Sequence, residues 1–209
     1  MNGKVRPGDN LYTCSIVAIN PDTGKLAWAF QPSPHDTHDW DAVEVPVIAD
    51  ATLGGVPRKL LMQASRNGYF FVLDRTTGKN LLTSNFGPVN WTLGVDKDGR
   101  PIPNPATEPA PNGRLIAPDE GGMTNYRSPS FDLKSGLFIV SASPSYSLYF
   151  SKPADGSYGW AGGGTSLDRS RTSVVQGWNS LEATALKYII EDKRLHLCTC
   201  RTIIADQPR

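Results

Sequence analysis

Apolar and polar positions follow the same plan in two stretches of the chain. In VAINPDTGKLAW (residues 17–28) and FVLDRTTGKNLL (residues 71–82), an apolar run leads into Asn or Asp, then Thr-Gly-Lys, then a second, partly apolar run. Gly24 and Gly78 are 54 residues apart, and a weaker third copy, SFDLKSGLFIV (residues 130–140), places Gly136 58 residues further on. Glycine supplies the positive φ of a tight turn and an Asn or Asp side chain holds it. Each copy therefore predicts a β-hairpin.

The repeats favour an all-β fold, a partial β-propeller. In a propeller, four-stranded units recur every ~40–50 residues and bury their faces against their neighbours. The spacing here is longer, so we expect loops inserted between strands. Further strands are predicted at residues 43–50, 59–65 and 136–143, the first at an edge or with a bulge because it contains Pro46. The Pro/Gly-rich stretch at residues 87–122 predicts a long loop, either functional or disordered.

The end of the chain breaks this pattern. Apolar residues between Leu181 and Ile189 recur at a helical spacing, which predicts a helix rather than another hairpin. The predicted division is therefore a partial propeller over residues 1–162 and a divergent tail, helical or disordered, over residues 163–209. The Cys-x-Cys at 198–200 is interpreted as plain thiols or, with only His196 beside it, as a metal site.

Composition and charge exclude some classes of partner. The net charge is +1 and no basic run exceeds two residues, which argues against nucleic acid, because phosphate binding needs clustered Lys and Arg. No stretch approaches the ~18 apolar residues of a membrane span. The first ten residues, MNGKVRPGDN, are polar and do not form a signal peptide.

The stretch PHDTHDWD, residues 34–41, concentrates titratable groups. If it is extended, alternate side chains share a face, and Asp39 and Asp41 lie together. Two such carboxylates bind a hard cation such as Ca²⁺, or one acts as a general base beside a cation. The alternative is a solvated loop that caps its own backbone. Zinc fits less well, because His35 and His38 lack a second pair of ligands.

Arg66 is a second candidate. In SRNGYFFVLD (residues 65–74) it stands at the end of a predicted strand, just before an Asn-Gly turn. From there its side chain would reach a pocket at one end of the sheet, or it is simply a surface arginine.

Taken together, four stretches resemble the pyrroloquinoline-quinone (PQQ)-dependent alcohol dehydrogenases, quinoproteins of the methanol and ethanol dehydrogenase type. They are RPGDNLYTCSIVAINPDTGKLAW, QPSPHDTHDWD, SRNGYFFVLDRTTGK and GGMTNYRSPSFDLKSGLFIVSASPSY. The resemblance runs from about residue 2 to 162 and implies an internal fragment, roughly three blades of an eight-bladed propeller. It also implies oxidation of an alcohol to an aldehyde with PQQ and a Ca²⁺ or lanthanide ion, a cytochrome c or quinone as electron acceptor, and a periplasmic or secreted location.

The resemblance assigns roles to three residues. Asp41, which ends the Trp-Asp motif, matches the catalytic base and also touches the metal. Arg66 matches the basic residue that hydrogen-bonds the PQQ carbonyls, and Asn125 falls where the family has an Asn-aromatic pair near PQQ. Members that use lanthanides carry a second aspartate two positions after the base. Val43 stands there in this chain, so Ca²⁺ is favoured.

The same resemblance predicts that the chain alone is inactive. The family's glutamate and asparagine metal ligands have no counterpart in this sequence, and an open set of blades leaves strand edges exposed. Two other interpretations stand beside the enzyme: a non-catalytic propeller-type binding module, and a Ca²⁺-binding structural domain.

Overall fold

A computed structural model describes residues 3–154, 157–162, 184–189 and 194–199. Short 3₁₀ helices cover Gly3–Val5 and Pro105–Thr107, and the other regular structure within these ranges is antiparallel sheet. The strands of the described residues are β1 Ile16–Ile19, β2 Leu26–Phe30, β3 Val47–Leu53, β4 Val56–Ala64, β5 Tyr69–Asp74, β6 Asn80–Asn85, β7 Thr92–Val95, β8 Pro101–Pro103, β9 Arg114–Ile116, β10 Ser130–Asp132, β11 Leu137–Ile139, β12 Ser147–Ala154, β13 Ser157–Gly162, β14 Thr184–Ile189 and β15 Arg194–Thr199.

These strands form separate sheets that follow the chain. The first pairs β1 with β2, the second has the order β3-β4-β5-β6, and a third has the order β10-β11-β14-β15. Smaller sheets pair β7 with β8 and order β13-β12-β9. Strand β3 begins directly after Pro46 and lies at the edge of its sheet, as its sequence predicts.

The three repeated turns close three hairpins, which confirms the repeat. In each turn the glycine N–H donates to the backbone carbonyl of the Asn or Asp four residues earlier, at 2.8 or 2.9 Å, and the Asn or Asp side chain accepts nearby backbone N–H groups. The glycine φ angles of +66°, +71° and +68° lie in the left-handed region that favours glycine. The residues are Asn20 with Gly24, Asp74 with Gly78, and Asp132 with Gly136.

The second sheet is buried on both faces. Along β5, Phe71 and Leu73 pack towards the first sheet, in a core that also contains Trp40 and Trp91, while Phe70 packs into a core shared with Phe138 of β11. Successive side chains of a strand point to opposite faces, so a continuous apolar run is expected where both faces are covered. This is the face-to-face packing of propeller blades.

Trp28 ties the first sheet to the second. Its Nε1 donates to the carbonyl of Arg75 at 3.0 Å, and its ring lies against Gly78, where an added Cβ would come within 2.7 Å of ring atoms. The glycine therefore serves two purposes, because it completes its own turn and leaves room for the indole of the preceding repeat.

The helix predicted near the end of the chain is wrong for the residues that the structure describes there. Thr184–Ile189 and Arg194–Thr199 are paired strands, and β14 also pairs with β11 through Phe138 opposite Leu186. Pairing with a pre-existing edge overrides a weak helical periodicity. The remainder of the predicted tail, 163–183, 190–193 and 200–209, lies outside the described residues, so the boundary at 163 stays a prediction.

The stretch at 87–122 is not a simple long loop. It contains β7, β8 and β9, and Trp91 within it is buried, with its Nε1 donating to the carbonyl of Asn67 at 2.8 Å. Prolines keep these strands short but do not prevent them from forming. Strand β8 begins and ends on a proline, and in the described sheets its partner is β7.

Candidate functional site

The stretch at 34–41 is a folded loop rather than a strand. His35 and Asp39 have φ angles of +48° and +69°, so alternate side chains do not share a face, and the predicted pairing of Asp39 with Asp41 on one face is wrong. Asp36 organises the loop from inside. Its two carboxylate oxygens accept the backbone N–H groups of His38 and Trp40, each at 2.9 Å, and Cys14 Sγ lies 3.6 Å from one of them.

His38 is also part of this interior. Its ring stacks on Trp40 with centroids 4.4 Å apart, and its Nε2 donates to the carbonyl of Thr107. Burial lowers the His38 pKa to about 4 and raises that of Asp36 above its ordinary value. Both side chains therefore hold the loop, and the solvated-loop alternative is wrong for them.

The loop delivers Asp41 to the surface beside Arg66. Trp40 is fully buried and its Nε1 donates to the carbonyl of Asp119 at 2.8 Å. The next residue, Asp41, has a side chain that is 58% exposed, with Oδ2 3.7 Å from Arg66 Nη1. A buried indole thus fixes the backbone immediately before an accessible carboxylate.

Arg66 is not a surface arginine. It follows β4 in a turn where the Ser65 N–H donates to the Tyr69 carbonyl, and its side chain is only 11% exposed. Nη2 donates to the carbonyl of Glu120, Nη1 faces Asp41, and the buried Nε has no hydrogen-bond partner among the described residues. The buried Nε–H of this guanidinium is therefore unpaired within the described residues.

Glu44 is a site residue that the sequence did not indicate. It is 3% exposed, and its carboxylate oxygens make no hydrogen bond of full geometry among the described residues, although the backbone N–H groups of Glu44 and Arg66 lie near them. Burial raises its pKa to about 7, and the backbone N–H of Glu44 and the positive charge and backbone N–H of Arg66 oppose this only in part. Its flanking valines are exposed while the glutamate points inward, the reverse of what hydropathy predicts.

Asn125 follows Asp119 and Glu120 in the chain and makes its hydrogen bonds locally. Its Nδ2 donates to the carbonyl of Gly121 at 2.8 Å and its Oδ1 accepts the N–H of Tyr126. These bonds shape the local turn, so contact of Asn125 with a cofactor stays a prediction.

The residues present fit one edge of a quinone cofactor. Arg66 offers a buried, unpartnered N–H, and a guanidinium suits carbonyl oxygens on which negative charge develops. For a cation, the site offers the exposed carboxylate of Asp41. No group of three or more His, Cys, Asp or Glu that could hold a metal occurs within the described ranges.

Comparison with known proteins identifies the class of protein. Residues 1–92 match the family described as PQQ: Glucose/ethanol/alcohol dehydrogenase, beta-propeller domain. The chain is 48% identical over 132 residues to 1-butanol dehydrogenase (cytochrome c) of Thauera butanivorans, covering 62% of this chain and 19% of that protein. It is 38% identical over 151 residues to the lanthanide-dependent methanol dehydrogenase of Methylorubrum extorquens, covering 66% of this chain and 25% of that protein.

A solved structure gives the same result. The quinohemoprotein alcohol dehydrogenase from Comamonas testosteroni superposes with a TM-score of 0.68 at 40% identity, covering 71% of this chain and 23% of that one. The sheets thus match part of a quinoprotein β-propeller, and residues 1–92 match the propeller domain of the PQQ-dependent alcohol dehydrogenases. It spans about a fifth to a quarter of the length of the curated relatives it matches. No helix within the described residues is long and apolar enough to cross a membrane.

Proposed function

We propose that this chain supplies two groups of a PQQ-dependent site that oxidises alcohols to aldehydes. They are the general base, Asp41, and a cationic side chain, Arg66, which binds a carbonyl of the cofactor. One observation carries the proposal: the accessible carboxylate of Asp41 lies 3.7 Å from the buried guanidinium of Arg66, although 25 positions separate them in the chain. A reactive base beside a fixed cation is the pair that this oxidation requires.

Asp41 accepts the proton of the substrate hydroxyl. Its side chain is more than half exposed, so an alcohol can reach it without displacing a packed group. The contact with Arg66 is longer than a hydrogen bond, which leaves the carboxylate lone pairs available. The buried neighbour Trp40 and the Asp36 bonds keep the loop from moving the base away.

Arg66 binds the oxygen side of the cofactor. PQQ, when bound, supplies the acceptor for the hydride that leaves the alcohol carbon. The Arg66 guanidinium is always charged, and its unpartnered Nε–H would donate to a cofactor carbonyl and would stabilise negative charge on that oxygen. The Glu120 carbonyl holds the other end of the guanidinium, so little reorganisation is needed.

The metal in this proposal is Ca²⁺, with Asp41 as one ligand. Val43 occupies the position where members that use lanthanides carry a second carboxylate, and an exposed valine supplies no ligand. The electron acceptor is a cytochrome c or a quinone, in a periplasmic location. The name of the Thauera relative, 1-butanol dehydrogenase (cytochrome c), supports the first of these acceptors.

The test uses the complete gene product reconstituted with PQQ and Ca²⁺, followed by dye-linked alcohol oxidation. Asp41→Asn keeps the side-chain shape and removes the base, so kcat/KM should fall by about 100-fold or more while PQQ binding persists. Arg66→Lys should weaken PQQ binding, because a point charge replaces a planar set of donors. Asp50→Asn is the matched control, since Asp50 is also an exposed aspartate paired with an arginine, Arg75, at 2.7 Å.

Full activity of Asp41→Asn would refute the base assignment. Ca²⁺ binding that survives Asp41→Ala and is indifferent to PQQ would instead favour a Ca²⁺-binding structural domain. Absence of PQQ binding in the wild-type protein would favour a non-catalytic binding module.

A further inference from the structure

One short segment contacts both Trp40, which precedes Asp41 in the chain, and Arg66 itself. Asp119–Met123, here called the clasp, joins β9 to the residues before β10 and lies between the 34–41 loop and the turn that carries Arg66. Its contacts are made mostly by backbone, so its side chains gave no signal in the sequence.

On one side the clasp holds the indole that precedes Asp41. The Asp119 carbonyl accepts the Trp40 Nε1–H at 2.8 Å. The Gly122 N–H donates to both the carbonyl and the Oδ1 of Asp119, at 3.0 and 3.1 Å, which fixes that carbonyl in a tight turn. The direction of the Trp40 acceptor is therefore set by the turn itself.

On the other side the clasp holds Arg66 at three points. The Glu120 carbonyl accepts from Arg66 Nη2, and the Met123 N–H donates to the Arg66 carbonyl at 2.8 Å. Gly122 lies against the Arg66 backbone, where an added Cβ would be 2.8 Å from Cα and 2.7 Å from Cβ. Met123 is fully buried in the core between the second and third sheets, so the clasp is anchored at that end.

The ion pair cannot set the geometry of the site by itself. At 3.7 Å, with one partner more than half exposed, it belongs to a class of contacts worth roughly 0–1 kcal/mol. The clasp adds directional hydrogen bonds to both Trp40 and Arg66 from a single turn. Such positioning matters because catalysis is sensitive to displacements of about 1 Å.

We propose that the clasp sets the position of Arg66 relative to Asp41, and that Gly122 is the positioning residue on which this depends. The inference rests on the proposed function, because it concerns the same two site residues. Only glycine meets both demands at position 122, a φ of +84° and contact with the Arg66 backbone. The clasp touches no reacting group and acts through Arg66.

The test compares Gly122→Ala with Gly121→Ala in the complete gene product. An added Cβ at Gly121 would meet only Asp119, with its Oδ1 at 3.2 Å, and Gly121 lacks a positive φ, so the control adds the same methyl group one residue away. We expect Gly122→Ala to weaken PQQ binding, measured by titration of cofactor absorbance, by about 10- to 100-fold, with Gly121→Ala within about twofold of wild type.

A double-mutant cycle shows whether the effect passes through Arg66. In an Arg66→Lys background, Gly122→Ala should change PQQ affinity far less than it does in the wild type, because the group that the clasp positions has already been replaced. Equal effects in both backgrounds would mean that the glycine is only structural, and would overturn the proposal. PQQ affinity unchanged in folded Gly122→Ala would overturn it as well.

Trp40→Phe decides the question if Gly122→Ala does not fold. It removes the N–H donated to the Asp119 carbonyl and keeps an aromatic ring in the core. The proposal expects a lower kcat with little change in the PQQ dissociation constant, since this variant loosens the Asp41 side alone, and an unchanged kcat overturns it. The PQQ titration needs no turnover, so failure of the base assignment for Asp41 leaves the Gly122 comparison interpretable.

Discussion

Replacing Glu44 by glutamine removes an ionisable carboxyl group that the fold buries almost completely. Glutamine has nearly the same shape but no charge to bury. In the wild type, the cost of ionising Glu44 inside the fold appears as a raised pKa. The variant should therefore differ from the wild type in how its stability depends on pH.

The magnitude and the sign follow from the pKa values. The Glu44 pKa rises from 4.5 in the unfolded chain to about 7 in the fold. Below pH 4.5 the group is protonated in both states and costs nothing. As the pH rises from 4.5 to 7, the unfolded state loses its proton first, and the free energy of unfolding falls by about 3 kcal/mol at ~1.4 kcal/mol per pH unit. Above pH 7 the loss is constant.

The assay is urea unfolding of the wild type and of Glu44→Gln at pH 4.5, 6 and 8. The variant should gain on the wild type with rising pH, by up to about 3 kcal/mol at pH 8. Taking the difference between the two proteins removes contributions from other buried groups, such as Asp36, that titrate in both. A difference that stays the same from pH 4.5 to 8 would refute the reasoning, because it would mean that Glu44 has an ordinary pKa in the fold.

Two further predictions concern stability. The His38 pKa is lowered to about 4, so the free energy of unfolding should fall by about 3 kcal/mol as the pH drops from 6.5 to 4. Urea unfolding at pH 7 and 4.5 should show this loss in the wild type and not in His38→Gln. An equal loss in both proteins would contradict the prediction. Gly78→Ala and Gly24→Ala both place alanine at a positive φ in equivalent turns, but only Gly78 lies against Trp28. Thermal unfolding should show Gly78→Ala to be the more destabilising by about 1–3 kcal/mol, and equal losses would show that the indole contact contributes little.

The hairpins could be predicted because their determinants are local. Asn20 and Asp74 hold their turns through their own side chains and the following glycine, so a short window of sequence contains the whole interaction. The strands near the end of the chain could not be predicted in this way. Their partner, β11, lies more than 40 residues earlier, and helical periodicity carries no information about a distant edge.

The site was predictable only in part, for the same reason. The resemblance pointed to Asp41 and Arg66, and the structure brings the two side chains together. The expected alternation of side chains along residues 34–41 was wrong, because the buried Asp36 carboxylate accepts backbone N–H groups and bends the loop. Glu44 gave no signal, since a glutamate flanked by valines is normally expected to face solvent. The clasp gave none either, because it acts mainly through backbone groups, which every sequence has.

The indole of Trp40, which stacks on His38 and precedes the proposed base, makes the loop observable by fluorescence. Trp40 lies 4.4 Å from His38 and 5.0 Å from Trp91, ring centre to ring centre, and is one peptide bond from Asp41. Indole emission is quenched by a charged imidazole in contact with it and by a quinone nearby. Because the chain has five tryptophans, the difference in emission between the wild type and Trp40→Phe would isolate this residue, and it would report protonation of His38, arrival of a quinone at Arg66 and loosening of the loop.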